Sequence, residues 1–307
     1  MPEGPPAALG APPVGETGEG QALLAAATRR RSTRRPLGVV FWICASWVAL
    51  MAALAVFASL LHLTSPTAQN YSAVQVGPGV HHLFGTDDLG RDLLSRVIFG
   101  SRVSLVVGFA PIAVGLLVGG SLGLWAAFRG KAADAVVSAV SFTVLAYPAL
   151  LAIIVIQAFW LPRALWKLVI IFSVIASALL FVVVRAAALS YVNREFVLAA
   201  KAMGARTHRI LLRELLPNVV PATAAFALIG VATAIILEGS LAYLGLSVSL
   251  PTPSLGNLIN EGTGQNLLQS DPWITLWPAL YIFLLLIALN LMADRLRAAF
   301  DVGEGRL

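Results

Sequence analysis

Six stretches of this chain are long and apolar enough to cross a bilayer, and this limits the fold more than any other feature. They cover roughly 39–63, 103–128, 135–160, 168–187, 218–246 and 273–293. About 20 apolar residues rising 1.5 Å each match the ~30 Å hydrocarbon layer. Inside that layer every backbone N–H and C=O must be satisfied within the segment, so runs of this length become helices. The expected fold is an all-α membrane protein with six transmembrane helices. Composition agrees. Of the 307 residues, 58% are hydrophobic and 12% charged, whereas soluble domains carry about 25% charged residues. The single cysteine, Cys44, lies inside the first run, so no intrachain disulfide or thiolate metal site is available.

The distribution of charge sets the orientation. Residues 1–37 are rich in Pro, Gly and Ala without an apolar period and end in the cluster Arg29–Arg35, which reads as a disordered cytoplasmic tail with a membrane anchor. The apolar run behind it, Val39 to about Leu63, is too long for a signal-peptide core and is a retained span. With the arginines inside, both termini are cytoplasmic. Only Arg91, Arg96, Arg102, Arg163 and Lys167 then lie outside, leaving roughly three quarters of the 21 Lys and Arg on the inner side. The net charge of +6 is thus explained by topology, and no nucleic acid is expected as a partner. The chain divides into the tail 1–37, a first helix with an external segment 38–101, a core of five helices 102–297 with a cytoplasmic loop 188–217, and a second tail 298–307.

Within that loop, Glu195 to Pro217 has its own pattern. Phe196, Ala199, Ala200 and Met203 recur at i, i+3, i+4 and i+7, which predicts one apolar helical face with a methyl-thick middle. Gly204 follows where a helix can end in a left-handed residue. A second helical stretch sets Arg206, Arg209 and Arg213 on one side and Ile210 with Leu211 on another, and Pro217 suits the first turn of a further helix. Taken alone, this describes either an amphipathic connector resting on lipid headgroups or a docking element.

The spacing Ala199-Ala200, three residues, Gly204, then Leu216-Pro217 resembles the EAA loop of permease subunits of bacterial ABC importers. The signature's glutamate position holds Leu198 and its isoleucine position Glu214, with a glutamate three residues earlier at Glu195. A second string lies before the second span: Phe84-Gly85-Thr86-Asp87 with Gly90-Arg91-Asp92 and Ser95-Arg96. It resembles the C-type subunit of dipeptide, oligopeptide and nickel importers. Glu238 through Ser240, Leu241, Leu244, Gly245 and Leu246 is similar to that subunit's fifth helix, and Pro251, Pro253, Gly256 and Asn257 to its P-x-P-S-W-G-N string, with Leu255 in the tryptophan position. The resemblance implies the type I ABC importer permease fold. It also implies a heterodimer with a homologous permease, two ABC ATPase subunits, an extracytoplasmic substrate-binding protein and a peptide or nickel cargo. The cytoplasmic loop would dock on an ATPase through Glu195, Phe196, Ala199, Ala200, Met203, Gly204, Ala205 and Arg206. ATP and Mg would be held by the ATPases, with no cofactor on this chain.

Other residues carry readings from chemistry alone. Thr86 or Asp87 can cap a short helix, with Arg91 and Asp92 placed for local ion pairs; Asp87, Asp88 and Asp92 near His81 and His82 fit no compact metal pattern. Gly115, Gly119 and Gly123 repeat in four-residue steps, which lets helix backbones touch in lipid. Pro111 and Pro148 are candidate kinks. Glu238, a carboxylate inside a span, is either a hydrogen-bonded structural group or a lining group of the path, and its nearness to the external end suggests shallow burial. Arg185 is expected to snorkel, and Asp294, Arg297 and Asp301 are spaced for helical ion pairs. No G-x-x-x-x-G-K-[ST], G-x-S-x-G or H-E-x-x-H occurs, so the chain is not expected to be an enzyme. The expected function is a transport subunit in the bacterial inner membrane. The alternatives are an ion-coupled transporter using Glu238 or a membrane assembly protein.

Overall fold

The computed structural model describes residues 37–264 and 267–300. The expectations for Arg29–Arg35, for most of both tails and for Asp301 lie outside the described residues. Among those described, the structure is helical, with an isolated bridge between Thr86 and Asp92 as its extended pairing. In chain order the helices of eight residues or more are α1 (Gly38–Val56), α2 (Leu93–Arg129), α3 (Lys131–Ala146), α4 (Ala149–Phe159), α5 (Leu165–Val192), α6 (Glu195–Ala202), α7 (Thr207–Tyr243), α8 (Leu255–Thr263) and α9 (Trp273–Phe300). Five of them can cross a membrane alone, and α3 with α4 makes a sixth, broken span.

Several boundaries depart from the hydropathy pattern, each for a local reason. Helix α1 stops at Val56, short of the expected residue 63, because the Arg102 guanidinium donates to the carbonyls of Ala55 and Val56 at 3.0 and 2.9 Å. Those are orphan acceptors of a helix end. Helix α2 starts at Leu93, ten residues early, since the Asp92 carboxylate accepts from the Ser95 N–H at 2.9 Å and caps it. Its first turns hide Ser95, Arg96, Ser101 and Ser104, which delays the apolar signal. Pro111 sits inside this helix, and the following turn, Leu116–Gly120, widens to π geometry.

Pro148 does more than kink its span. It forces Tyr147 into extended geometry, and the halves meet at 78°. Pro217 stands, as expected, in the first turn of the α-helical stretch Leu216–Tyr243, but that stretch is not separated from what precedes it. The second half of the cytoplasmic loop runs without interruption from Thr207 into the membrane, with a π turn at Ile210–Leu215 ahead of the proline.

Helix α5 is the centre of the bundle, touching α2, α3, α4 and α7, while α1 packs on the outside against α2 and α9. The α2–α5 contact is made possible by the glycine steps. A Cβ at Gly115 would lie 2.9 Å from Ala176 C, one at Gly123 would lie 2.8 Å from Phe181 O, and one at Gly119 would collide with the Ser177 carbonyl. The stripe therefore serves packing within this chain. Three apolar clusters fill the bundle. One joins α1, α2, α5, α7 and α9 around Leu180, Ile235 and Leu289. A second lies at the external side around Ile153, Leu168 and Leu241. The third lies at the cytoplasmic side, where Leu124, Val184, Ala188 and Leu215 meet α6.

Several charges near the spans have partners within the chain. The Arg185 guanidinium clamps Asp134 in the first turn of α3, with Nη2 to Oδ2 at 2.5 Å. Arg297 lies over the Phe226 ring at 4.7 Å, in place of the expected pairing with Asp294. The Lys167 ammonium donates to the Pro162 carbonyl at 2.9 Å between the rings of Trp160 and Trp166. Arg163 donates to the Gly245 carbonyl at 2.7 Å.

Because the Gly119 contact is backbone on backbone, Gly119→Val has no flexible neighbour to displace. Thermal unfolding in detergent should show a loss of about 3 kcal/mol or more, the upper end for overpacking, whereas Gly239→Ala, with open space at its Cβ, should leave the midpoint within about 2 °C, as for a neutral surface change.

Candidate functional site

The cytoplasmic loop folds as two helices joined by a tight cap. Helix α6 ends in a Schellman arrangement: the Gly204 N–H bonds to the Lys201 carbonyl and the Ala205 N–H to the Ala200 carbonyl, both at 3.0 Å. Gly204 has φ +75°, where a side chain is strained, and open space around it. Helix α7 then starts beyond Arg206.

The apolar face expected from spacing is divided in two. Val197 and Ala200 point inward and join Leu124, Ala127, Val184, Ala188, Ile210 and Leu215. Phe196, Leu198, Ala199 and Met203 point outward, with Met203 79% exposed. Ala200 is therefore a foot of the loop rather than part of its outer surface. Glu195, Gly204 and Arg206 are exposed, Ala205 is half-buried, and Arg209 and Arg213 continue the basic rim. Lys201 closes the base of α6 by lying 4.6 Å over the Phe128 ring at the end of α2. The result is a small apolar knob, ringed by arginine and seated on α2, α5 and α7.

On the opposite side, the external string 84–96 forms a buried ion network. The Arg91 Nε donates to Asp87 at 2.6 Å, and the Arg96 guanidinium donates to the same carboxylate. Both arginines also reach Glu261 on α8: Arg91 at 3.0 Å, and Arg96 in a two-pronged contact at 2.7 and 3.1 Å. Asp87 also accepts from the Leu89 and Arg91 backbone N–H groups, so it caps a loop and not a helix. Burial, and then the Asp87 charge, hold the Asp88 carboxyl above its ordinary range. The acidic group that converges is Asp87, Asp88 and Glu261, with two guanidiniums among them. Asp92 instead pairs with His82 at 3.1 Å.

Glu238 is not shallowly placed; it is fully buried. The Ser104 hydroxyl of α2 donates to one carboxylate oxygen at 3.0 Å and the Ser247 hydroxyl to the other at 2.7 Å, with Ser254 beside them. This serine cage ties α2, α7 and the loop leading to α8 together. Spacing could not reveal Glu261 or Ser104 as partners, because 134 to 170 residues separate the interacting groups across elements; Ser247, nine residues from Glu238, meets it only because the chain turns back after α7.

Residues 119–303 match the family model described as binding-protein-dependent transport system inner membrane component. Among curated proteins, the chain is 35% identical over 248 residues to the dipeptide transport system permease protein DppC of Alkalihalophilus pseudofirmus, covering 81% of each. It is 32% identical over 254 residues to the oligopeptide transport system permease protein OppC of Bacillus subtilis, covering 83% of this chain and 82% of the relative. To the glutathione transport system permease protein GsiD of Pectobacterium atrosepticum it is 32% identical, with 83% and 84% covered. Among solved structures, inward-facing forms of the MetNI methionine ABC transporter superpose with TM-scores of 0.54 and 0.56 at 20% and 19% identity, covering 67% of this chain and nearly all of theirs. At that identity they establish the fold.

Arg96→Ala would leave the buried Asp87 and the half-buried Glu261 to share Arg91 alone. It should cost about 3 kcal/mol, the lower end for removing one partner from a buried ion pair because Arg91 remains, measured by denaturant or thermal unfolding. Glu238→Ala should cost about 1–3 kcal/mol by leaving its serines without an acceptor.

Proposed function

The chain belongs to the family of binding-protein-dependent transport system inner membrane components, and from that premise we propose that it is one of two permease subunits of an ATP-driven importer of short peptides. The observation that carries the coupling role is the exposed knob of Phe196, Ala199 and Met203, raised on a base that is packed into α2, α5 and α7. A lipid-resting connector has no need for a deep seat. A lever point does, because force applied at the knob must reach the spans. The surface is small and apolar with an αL turn beside it, which suits close insertion into a cleft on an ATPase subunit. The basic rim of Arg206, Arg209 and Arg213 would set orientation and encounter rate.

In this reading ATP and Mg stay on the ATPases, and the chain holds no cofactor. Closure of the ATPase pair displaces α6, and the spans tilt so that the path opens to the other side. A homologous permease supplies the other wall, and an extracytoplasmic binding protein delivers cargo. Peptide is favoured over nickel by the relatives, whose names specify dipeptide, oligopeptide and glutathione transport. The ion-coupled alternative is disfavoured by the serine cage, which closes Glu238 off from any watery route.

Met203→Asp, alone and with Ala199→Asp, should lower ATPase capture in co-purification by at least about tenfold, the scale of losing one buried anchor from an interface. The folded permease should keep its unfolding midpoint, since both side chains are exposed. Retention of the ATPase by the double variant would sink the coupling assignment. Glu238→Gln keeps an acceptor for the serines and should leave ATP-dependent peptide uptake within about twofold, the scale of an isosteric polar change. Abolished uptake in that variant would favour ion coupling.

A further inference from the structure

The transmembrane surface of this chain is not uniform. On the outer part of α9 the outward positions Leu276, Leu280, Phe283 and Ile287 are all large and apolar, as lipid contact requires, and the first polar one, Asn290, comes only toward the cytoplasmic end. On α7 the outward stripe is different in kind. Ile229, Thr233, Ile236, Ser240 and Tyr243 follow one another at three- and four-residue steps, so hydroxyls alternate with isoleucines. Two grooves open on this stripe. One, of about 160 Å³, runs between α5 and α7 past Ile229 and Thr233. The other, of about 520 Å³, passes Ile236, Gly239, Ser240 and Tyr243 toward Gly256 of α8.

The chemistry of the hydroxyls is specific. Thr233 donates to the Ile229 carbonyl at 2.9 Å and Ser240 to the Ile236 carbonyl at 3.0 Å, both within their own helix. Such a hydroxyl is satisfied when its surroundings are dry. It also keeps lone pairs, and can turn its proton outward when they are wet. A surface that is alternately opened to water and closed needs that property, whereas a permanently lipid-facing one does not. The stripe bears no ionised group, and Glu238 lies on the other side of the helix in its serine cage.

We propose that the stripe Ile229, Thr233, Ile236, Ser240 and Tyr243 lines the path along which solute crosses this subunit, meeting the main-chain amides of a peptide through neutral hydroxyls. The assignment rests on the importer reading above. Neutral donors and acceptors recognise what all peptides share, and the absence of charge leaves their side chains unsorted at this point. The same unbroken helix begins in the cytoplasmic loop, so displacement of the loop moves the stripe directly.

The test uses the assembled complex in membrane vesicles, with Cys44→Ala as background, and a charged, membrane-impermeant methanethiosulfonate reagent. Thr233 lies ten residues inside the external end of α7, about 15 Å deep at 1.5 Å per residue, so only water in a path brings the reagent there. Thr233→Cys should react at least about tenfold faster than Phe283→Cys on α9, because the thiolate that reacts forms only with water access. A neutral dipeptide with binding protein and ATP should change that rate. Modification of Thr233→Cys no faster than of Phe283→Cys, in vesicles whose background complex takes up peptide, overturns the lining assignment while leaving the importer reading intact. Background vesicles without ATP-dependent uptake overturn the importer reading and the assignment with it.

Discussion

In lipid, apolar side chains gain nothing by leaving the solvent for one another, so helices associate only where their shapes allow close approach. The contact between α2 and α5 meets that condition. Three glycines in four-residue steps bring one backbone against the other over Ala176 to Arg185, and the rest of the bundle is arranged around that pair. Helix α7 covers one side of the pair, the broken span α3–α4 another, and α1 with α9 closes the periphery. The cytoplasmic cluster that seats α6 is an extension of the same contact, since Leu124, Val184 and Ala188 belong to the ends of these two helices.

Polar groups hold the ends of the bundle. Each of the five cations on the external side has a partner in the structure: carboxylates for Arg91 and Arg96, and helix-end or loop carbonyls for Arg102, Arg163 and Lys167. Against the general bias of cations toward the cytoplasm, these are retained as structural ties. The Asp87–Arg96–Glu261 network joins residues far apart in the chain, and the Glu238 cage joins α2 to the loop before α8. Together they fix the external cap as a rigid piece, while the cytoplasmic loop is held by packing and a single cation–π contact.

The number of spans was legible in the sequence because a 20-residue apolar run has few physical alternatives. Their ends were less so. The start of α2 is disguised by Ser95, Arg96 and Ser104, polar residues whose partners lie elsewhere in the fold, and by Ser101, which bonds back to its own helix, and hydropathy counts them as loop. The Gly204 cap was readable because its requirement is local. The orientation of α6 was not. Phe196 and Val197 are both apolar, and only the presence of Leu124 and Ala188 beneath one of them decides which is buried. Glu261 carried no signal at all, since the arginines that define it are 165 and 170 residues away.

The continuity of α7 through Pro217 has a mechanical consequence. A helix of 37 residues is about 55 Å long at 1.5 Å per residue. Rotation by about 5° around one end carries the other through about 5 Å, roughly the pitch of one helical turn. A loop jointed at Pro217 would have lost most of that motion in the joint. Because helical bonding runs on past the proline, a sub-nanometre shove at the cytoplasmic face is delivered across the membrane, softened within the rod only by the wide π turn at Ile210–Leu215, while the neighbouring span bends at its 78° elbow at Pro148.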